Sequence, residues 1–297
     1  MATIHANLVS DIIAEKVIEA FTAELAPLSA FSTDFSPEAE KVGATVDVAI
    51  PANITASTTQ NAYETEDSGE LGNCRVPLTG YAKATVGITD AQAANSPSAK
   101  LEKFANQQAK AVARKIIVDA WALILNATYA QKVTKALGAF TSADVRALRV
   151  LLSKANAPVS DRSCILNPDF YDKVLGDTTI TVASALAYGG TEGIREGRVP
   201  RLLGFDMHES NIVPANGENL VGFACHPSAM AIAIRPLKPQ APNEYLETRV
   251  ISDEKTGISL GYRRHYSTGK GIHFCTFEAV YGAVAAVPAA LARLVTA

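Results

Sequence analysis

VGATVDVAI at Val42–Ile50, RVPLTGYAKATVGIT at Arg75–Thr89 and SAKLEKFANQQAKAVARKIIVDAWALILNA at Ser98–Ala127 carry the reading of the fold. In the first, Val42, Ala44, Val46, Val48 and Ile50 fall on one face, because successive side chains of a strand point to opposite sides. In the second, Val76, Leu78, Ala82, Ala84, Val86 and Ile88 alternate with Arg75, Thr79, Tyr81, Lys83, Thr85 and Thr89. The polar stretch ANITASTTQNAYETEDSGELGN (52–73) joins them, roughly 20 residues where a hairpin connection ordinarily takes about 2 to 5. Two strands alone are only marginally stable in water. So long a hairpin needs support, either from its own domain or from another subunit, and the sequence leaves both open.

The third stretch predicts a long helix. Ser96 is placed to cap it, and Pro97 suits a first turn where no backbone donor is missed. Thirty residues without glycine or internal proline, at about 1.5 Å each, give roughly 45 Å, longer than a compact domain of this size needs. Leu101, Phe104, Gln108, Val112, Ile116, Trp121 and Leu123 mark its apolar side. Upstream, residues 8–25 form an amphipathic helix with Leu8, Ile12, Ile13, Val17, Phe21 and Leu25 near one face, ended by Pro27. That helix is either ordinary packing or an arm beneath a neighbouring subunit.

Downstream, TSADVRALRVLLSKANAP (141–158) predicts a helix capped by Thr141 or Ser142 and stopped before Pro158. SCILNPDFYDKVLGD (163–177) reads as a strand, an Asn167-Pro168 turn and a short helix, and RLLGFDMHESNIVP (201–214) as turn, strand and turn. NLVGFACHPSAMAIAIRP (219–236) holds a strand followed by an Ala-rich segment with the composition of a helix. Several strands punctuated by glycine fill 245–286. The class is mixed α+β, with no internal repeat.

A chain of 297 residues with 48% hydrophobic residues can bury a sizeable core, as one large domain or two intertwined ones. The net charge of −3 lacks the basic footprint of a nucleic-acid reader. Cys74, Cys164, Cys225 and Cys275 are scattered without a CxxC pair, which argues against a disulfide framework and fits a reducing compartment. The N-terminus lacks the basic-then-apolar order of a signal peptide. Ala279–Ala292, the longest charge-free apolar stretch, is too short and too interrupted by Gly282 and Pro288 to span a membrane, so the sequence reads as soluble.

Candidate chemistry is sparse. Ser267-Thr268-Gly269-Lys270-Gly271 lacks the upstream glycine and the following Ser or Thr of a phosphate loop, and reads as a turn between strands. Cys225-His226 and His273-Phe274-Cys275 would make a zinc site only if two strands brought them together, and they lack zinc-ligand spacing. His208-Glu209-Ser210 cannot form a triad within itself, since neighbours on a strand face opposite ways. No catalytic residue, metal or cofactor is assigned. Glu64, Glu66, Asp67 and Glu70 form an acidic run whose bland reading is a solvated loop. Its sharper reading is pairing with a basic patch such as Arg263-Arg264 on another copy.

The order of an arm, a long hairpin, a long helix and a mixed α/β segment resembles the Hong Kong 97 fold of tailed-bacteriophage major capsid proteins. APVSDRSCILNPDFYDKVLG, GRVPRLLGFDMHESNIVP, LVGFACHPSAMAIAIRP and TGISLGYRRHYSTGKG with FEAVYGAVAAVPAALARL resemble that family's phrases in the family's order, across essentially the whole chain. The resemblance implies a non-enzymatic subunit that self-assembles into pentamers and hexamers of an icosahedral head around double-stranded DNA. It implies an N-terminal arm at 1–36, an extended loop at 37–93, and a peripheral domain with the spine helix at 94–160 and about 238–270. It places an axial domain at 161–237 and about 271–297. Partners would be other copies, a portal, packaged DNA held non-specifically, and no membrane, with assembly in the bacterial host cytoplasm. Some relatives carry a helical scaffolding segment that a protease removes; here the arm starts almost at Met1, which implies prior removal or a separate scaffolding protein. Some relatives crosslink a Lys to an Asn, but no motif around Lys41 or Lys83 carries that over. An encapsulin-type compartment, an enzyme with an unrecognised site, and a tail or decoration protein are the alternatives.

Overall fold

The computed structural model describes residues 16–38, 40–50, 72–89, 98–177, 199, 201–213, 216–238, 245–253 and 256–296. The helices are α1 (16–25), α2 (Ser98–Ala122), α3 (Ser142–Lys154) and α4 (Pro168–Gly176). The strands are β1 (Ser32–Phe35), β2 (Thr45–Ile50), β3 (Gly72–Pro77), β4 (Gly80–Thr89), β5 (Lys132–Thr134), β6 (Arg162–Leu166) and β7 (Arg201–Leu202). They continue with β8 (Phe205–Glu209), β9 (Leu220–Cys225), β10 (Met230–Arg235), β11 (Glu247–Ser252), β12 (Ser259–Ser267), β13 (Ile272–Ala285) and β14 (Leu291–Val295).

Two six-stranded sheets organise these elements. In the first, β13 is the axis. Its residues 272–278 pair with β12 and also with β4, so these two flank it on opposite sides, and from Val280 onward β10 pairs with it. β1 then adds to β10 in parallel, and β11 to β12 antiparallel. The second sheet runs β5-β14-β9-β6-β8-β7. Its strands β6, β9 and β14 are buried along their whole length, because both faces are covered. One face meets α1, α2 and the first sheet through Phe223, Ile165 and Leu291; the other meets α3 and α4 through Cys164, Leu166, Ala224 and Leu294.

The periodic stretches fold largely as their patterns require, although β2 begins only at Thr45 and Val42 lies exposed in the turn before it. Val17, Phe21 and Leu25 of α1 are buried, and Pro27 opens a 3-10 turn at Ala26–Ala30 that ends the helix; residues 8–15 of the expected helix lie outside the described residues. Thr141 caps α3, its backbone N–H donating to Asp144 Oδ2 at 3.0 Å. Asn167 caps α4, its Oδ1 accepting from Phe170 N at 3.0 Å. In α2, Gln108, Val112, Ile116 and Trp121 are buried as expected, whereas Phe104 lies outside the stripe, exposed. The proposed cap at Ser96 and Pro97 lies outside the described residues.

Three expectations are corrected. α2 ends at Ala122 and not at Ala127, which makes it about 37 Å long. Tertiary partners take over its last polar groups: the Ile124 carbonyl accepts from Asn216 Nδ2 at 2.8 Å, and Asn126 N donates to Glu218 Oε2 at 2.7 Å. The Ala-rich segment after Cys225 is strand β10, not a helix. Its alternation places Ile232 and Ile234 in the main core and Ala231 and Ala233 beneath the hairpin, with partner strands on both sides. Finally, Arg75–Thr89 is two strands. β3 pairs with β2, and β4 crosses to β13. Pro77 has no N–H to continue the ladder, Thr79 N closes a tight turn onto Pro77 O at 3.0 Å, and Gly80 passes under the Tyr281 ring where a Cβ would lie 2.6 Å from Cε2.

Candidate assembly surfaces

The base of the hairpin has a built seat. Val48, Ile50, Val76 and Leu78 form one apolar cluster with Ala231, Ala233 and Val280 of the first sheet. Small residues on β10 and β13 let the ribbon approach: a Cβ on Gly282 would collide with the Pro77 carbonyl oxygen and lie 2.9 Å from Val76 Cγ1. The solvent face of the ribbon carries the Arg75–Asp47 pair at 3.5 Å. Glu64, Glu66, Asp67 and Glu70 lie outside the described residues.

Arg263 and Arg264 lie side by side on β12 and face opposite ways, each already engaged within the chain. Arg263 Nε meets Glu278 at 2.5 Å, and its guanidinium also contacts Tyr245. Arg264 Nε meets Glu247 at 3.7 Å. Their side chains are 13% and 45% exposed, so only Arg264 presents much surface.

The residues singled out for chemistry stand apart. Ser267–Gly271 is the turn between β12 and β13, with Gly271 N donating to Ser267 O at 2.9 Å. Cys225 belongs to the second sheet and Cys275 to the first. Burial pushes the Cys164 thiol up to about 12 and also raises Cys225, so both thiols are held protonated. His226 caps a short 3-10 turn, its Nδ1 2.8 Å from Ser228 Oγ, and burial lowers its pKa. Among the described residues no three His, Cys, Asp or Glu side chains gather as a metal site would require. No helix among the described residues is long and apolar enough to cross a membrane.

The buried ions were missed by sequence reading. Glu278 bridges Arg263 and the Tyr81 hydroxyl, the latter at 2.6 Å. Arg293 of β14 donates from Nε to Tyr129 O at 2.7 Å, from Nη1 to Glu218, and from Nη2 to Asn126 Oδ1 at 2.5 Å, tying the end of α2 to the second sheet. Among the described residues Arg162 has no carboxylate partner; its donors go to Pro158 O at 2.7 Å, Ala157 O at 2.7 Å and Ser153 Oγ at 3.1 Å, beneath the end of α3. Tyr281 donates to Asp119, fastening α2 to β13. The available signal was a lone charge inside an apolar strand run, as in FEAVYG and LARLV.

A family model described as phage capsid protein matches residues 79–293. No curated protein matches the chain. Among solved structures, the chain is similar to one of Mycobacterium phage Che8, at 18% identity and TM-score 0.55, over 85% of this chain and 84% of that one. It is similar to the capsid of cyanophage P-SCSP1u at 16% identity and TM-score 0.56, over 90% and 86%. A virus-like particle from Pyrococcus furiosus aligns at 13% identity and TM-score 0.53, over 94% and 98%. At these identities the likeness is one of fold.

Proposed function

Because the chain belongs to the phage capsid protein family and has the Hong Kong 97-type fold, it is a major capsid protein of the virion, and we propose that it acts through pentamers and hexamers of an icosahedral head around double-stranded DNA. The role is structural, without a catalytic step, and the family match gives an encapsulin compartment no preference over it. The observation that carries the mechanism is the hairpin's seat. β2 and β3 are fixed on the first sheet by Val48, Ile50, Val76 and Leu78, while residues 51–71 between them far exceed the about 2 to 5 that a turn requires. The surplus chain suits a neighbour's surface, each contact weak and the closed shell stable through multiplicity.

The first sheet with α2 is assigned to the peripheral domain, and the second sheet with α3 and α4 to the axial domain. The limits then follow the sheets and not single cuts in the chain: β10 and β13 are peripheral, α3 and β14 axial. The acidic run at 64–70 contacts another copy, with Arg264 more available to it than Arg263. A separate scaffolding protein and a portal act during assembly in the host cytoplasm, and DNA is contacted without sequence preference.

Negative-stain microscopy of the purified chain tests this. Closed particles or capsomer-sized rings are expected, and a stable monomer at high concentration would overturn it. Deleting residues 60–72 leaves a soluble fold without shells; normal shells from that variant would remove the hairpin from the mechanism.

A further inference from the structure

Three cations without an ion-pair partner among the described residues gather on one helix, α3. Arg146, Arg149, Val150, Ser153 and Lys154 are exposed and line one shallow depression along the helix. The one acid of α3, Asp144, is buried and bound to Lys135 at 3.1 Å. Among the described residues Arg146, Arg149 and Lys154 have no ion-pair partner, and buried Arg162 beneath them meets only neutral oxygens. Compensation of the helix dipole accounts for Lys154 in the last turn but not for Arg146, one turn from the N-terminus.

The complement lies on the next helix of the same layer. α4 exposes Asp169 and Asp172, without ion-pair partners among the described residues, with the exposed Lys173 of its last turn beside them. The 3-10 turn Leu137–Ala139 packs beside α4 through Phe140 and Phe170, whose rings are 5.0 Å apart, and leaves Leu137 37% exposed. We infer that the basic face of α3 docks on the Asp169–Asp172–Leu137 face of a second copy, building the head-to-tail contact that closes axial domains into a ring. Two different patches make a heterologous contact, which a rotation repeats around an axis. Val150, 49% exposed, sits among the cations, and Val159, 59% exposed, follows the helix. Such side chains gain nothing against phosphate but can be buried against Leu137, which favours a protein partner over DNA. This inference rests on the shell reading.

The test reverses charges and then restores them, with assembly measured by sedimentation velocity and folding by far-UV circular dichroism. Arg146→Glu/Arg149→Glu and Asp169→Lys/Asp172→Lys each lower the assembled fraction at least tenfold with an unchanged spectrum, and the quadruple swap restores it. An equimolar mixture of the two double variants restores only even-numbered rings, since its subunits must alternate. Assembly of either double variant at the wild-type level overturns the inference, as does a folded quadruple variant that stays unassembled. If reversing the cations leaves shells intact and only releases DNA, the face contacts phosphate and the inference also falls. A wild-type chain that forms neither rings nor shells overturns the shell reading itself.

Discussion

Glu278 is buried between Arg263 Nε at 2.5 Å and the Tyr81 hydroxyl at 2.6 Å, joining β13, β12 and β4 at one point. Removing one partner of a buried pair leaves the other charge uncompensated, which costs about 3–5 kcal/mol. Glu278→Gln is therefore expected to lower subunit stability in urea by about 3 kcal/mol, and Arg263→Met added to it to recover part of the loss. A second expectation concerns pH. The unfolded Cys164 thiol loses its proton near its ordinary 9.0, while the folded one keeps it to about 12. Its stabilising contribution is complete below the unfolded value and is lost as pH rises towards the folded one, at about 1.4 kcal/mol per pH unit. Cys164→Ala should remove that much slope from the stability profile between about pH 9 and 11; an unchanged slope would mean that this thiol does not hold its proton. Neither the pair nor the thiol's depth was legible in the sequence, because burial of Glu278 depends on residues nearly 200 positions away.

Gly282 carries the same reasoning to the element. It is the point on β13 where the hairpin base lies closest, and overpacking such a contact costs about 1–3 kcal/mol. Gly282→Ala is expected to lift β2 and β3 from their seat while the rest of the sheet persists, so soluble subunit accumulates and shells do not. Normal shells, seen by microscopy, would show that the seat is not needed. The sequence revealed those elements whose signal is local. The alternation of 45–50, the caps at Thr141 and Asn167, and the stop at Pro27 all act within a few residues. It misassigned β10 because alanine favours helices and the competing force was pairing with β1 and β13, far along the chain. It joined β3 to β4 because the side-chain period runs through Leu78 unbroken while the partner changes.

At the scale of the molecule, the two sheets share one core. Trp121 of α2 meets the Phe223 ring of β9 edge-on at 5.7 Å, and Phe31, just before β1, stacks on the same ring at 5.8 Å. Phe223 thus joins the second sheet to the first sheet's helix and entry strand, and a shell subunit needs that junction rigid if many weak contacts are to register together. Chains of this length often unfold in stages. Here the shared ring predicts otherwise for the 60–72 deletion, which stays as subunits. Its urea transition by far-UV circular dichroism should coincide with that by fluorescence of Trp121, the single tryptophan, which is fully buried at the junction. Phe223→Ala should move both signals together by about 3–5 kcal/mol. If half the dichroism is lost while the fluorescence holds, the sheets are separate folding units, and the junction at Phe223 is a contact between domains and not the core of one body.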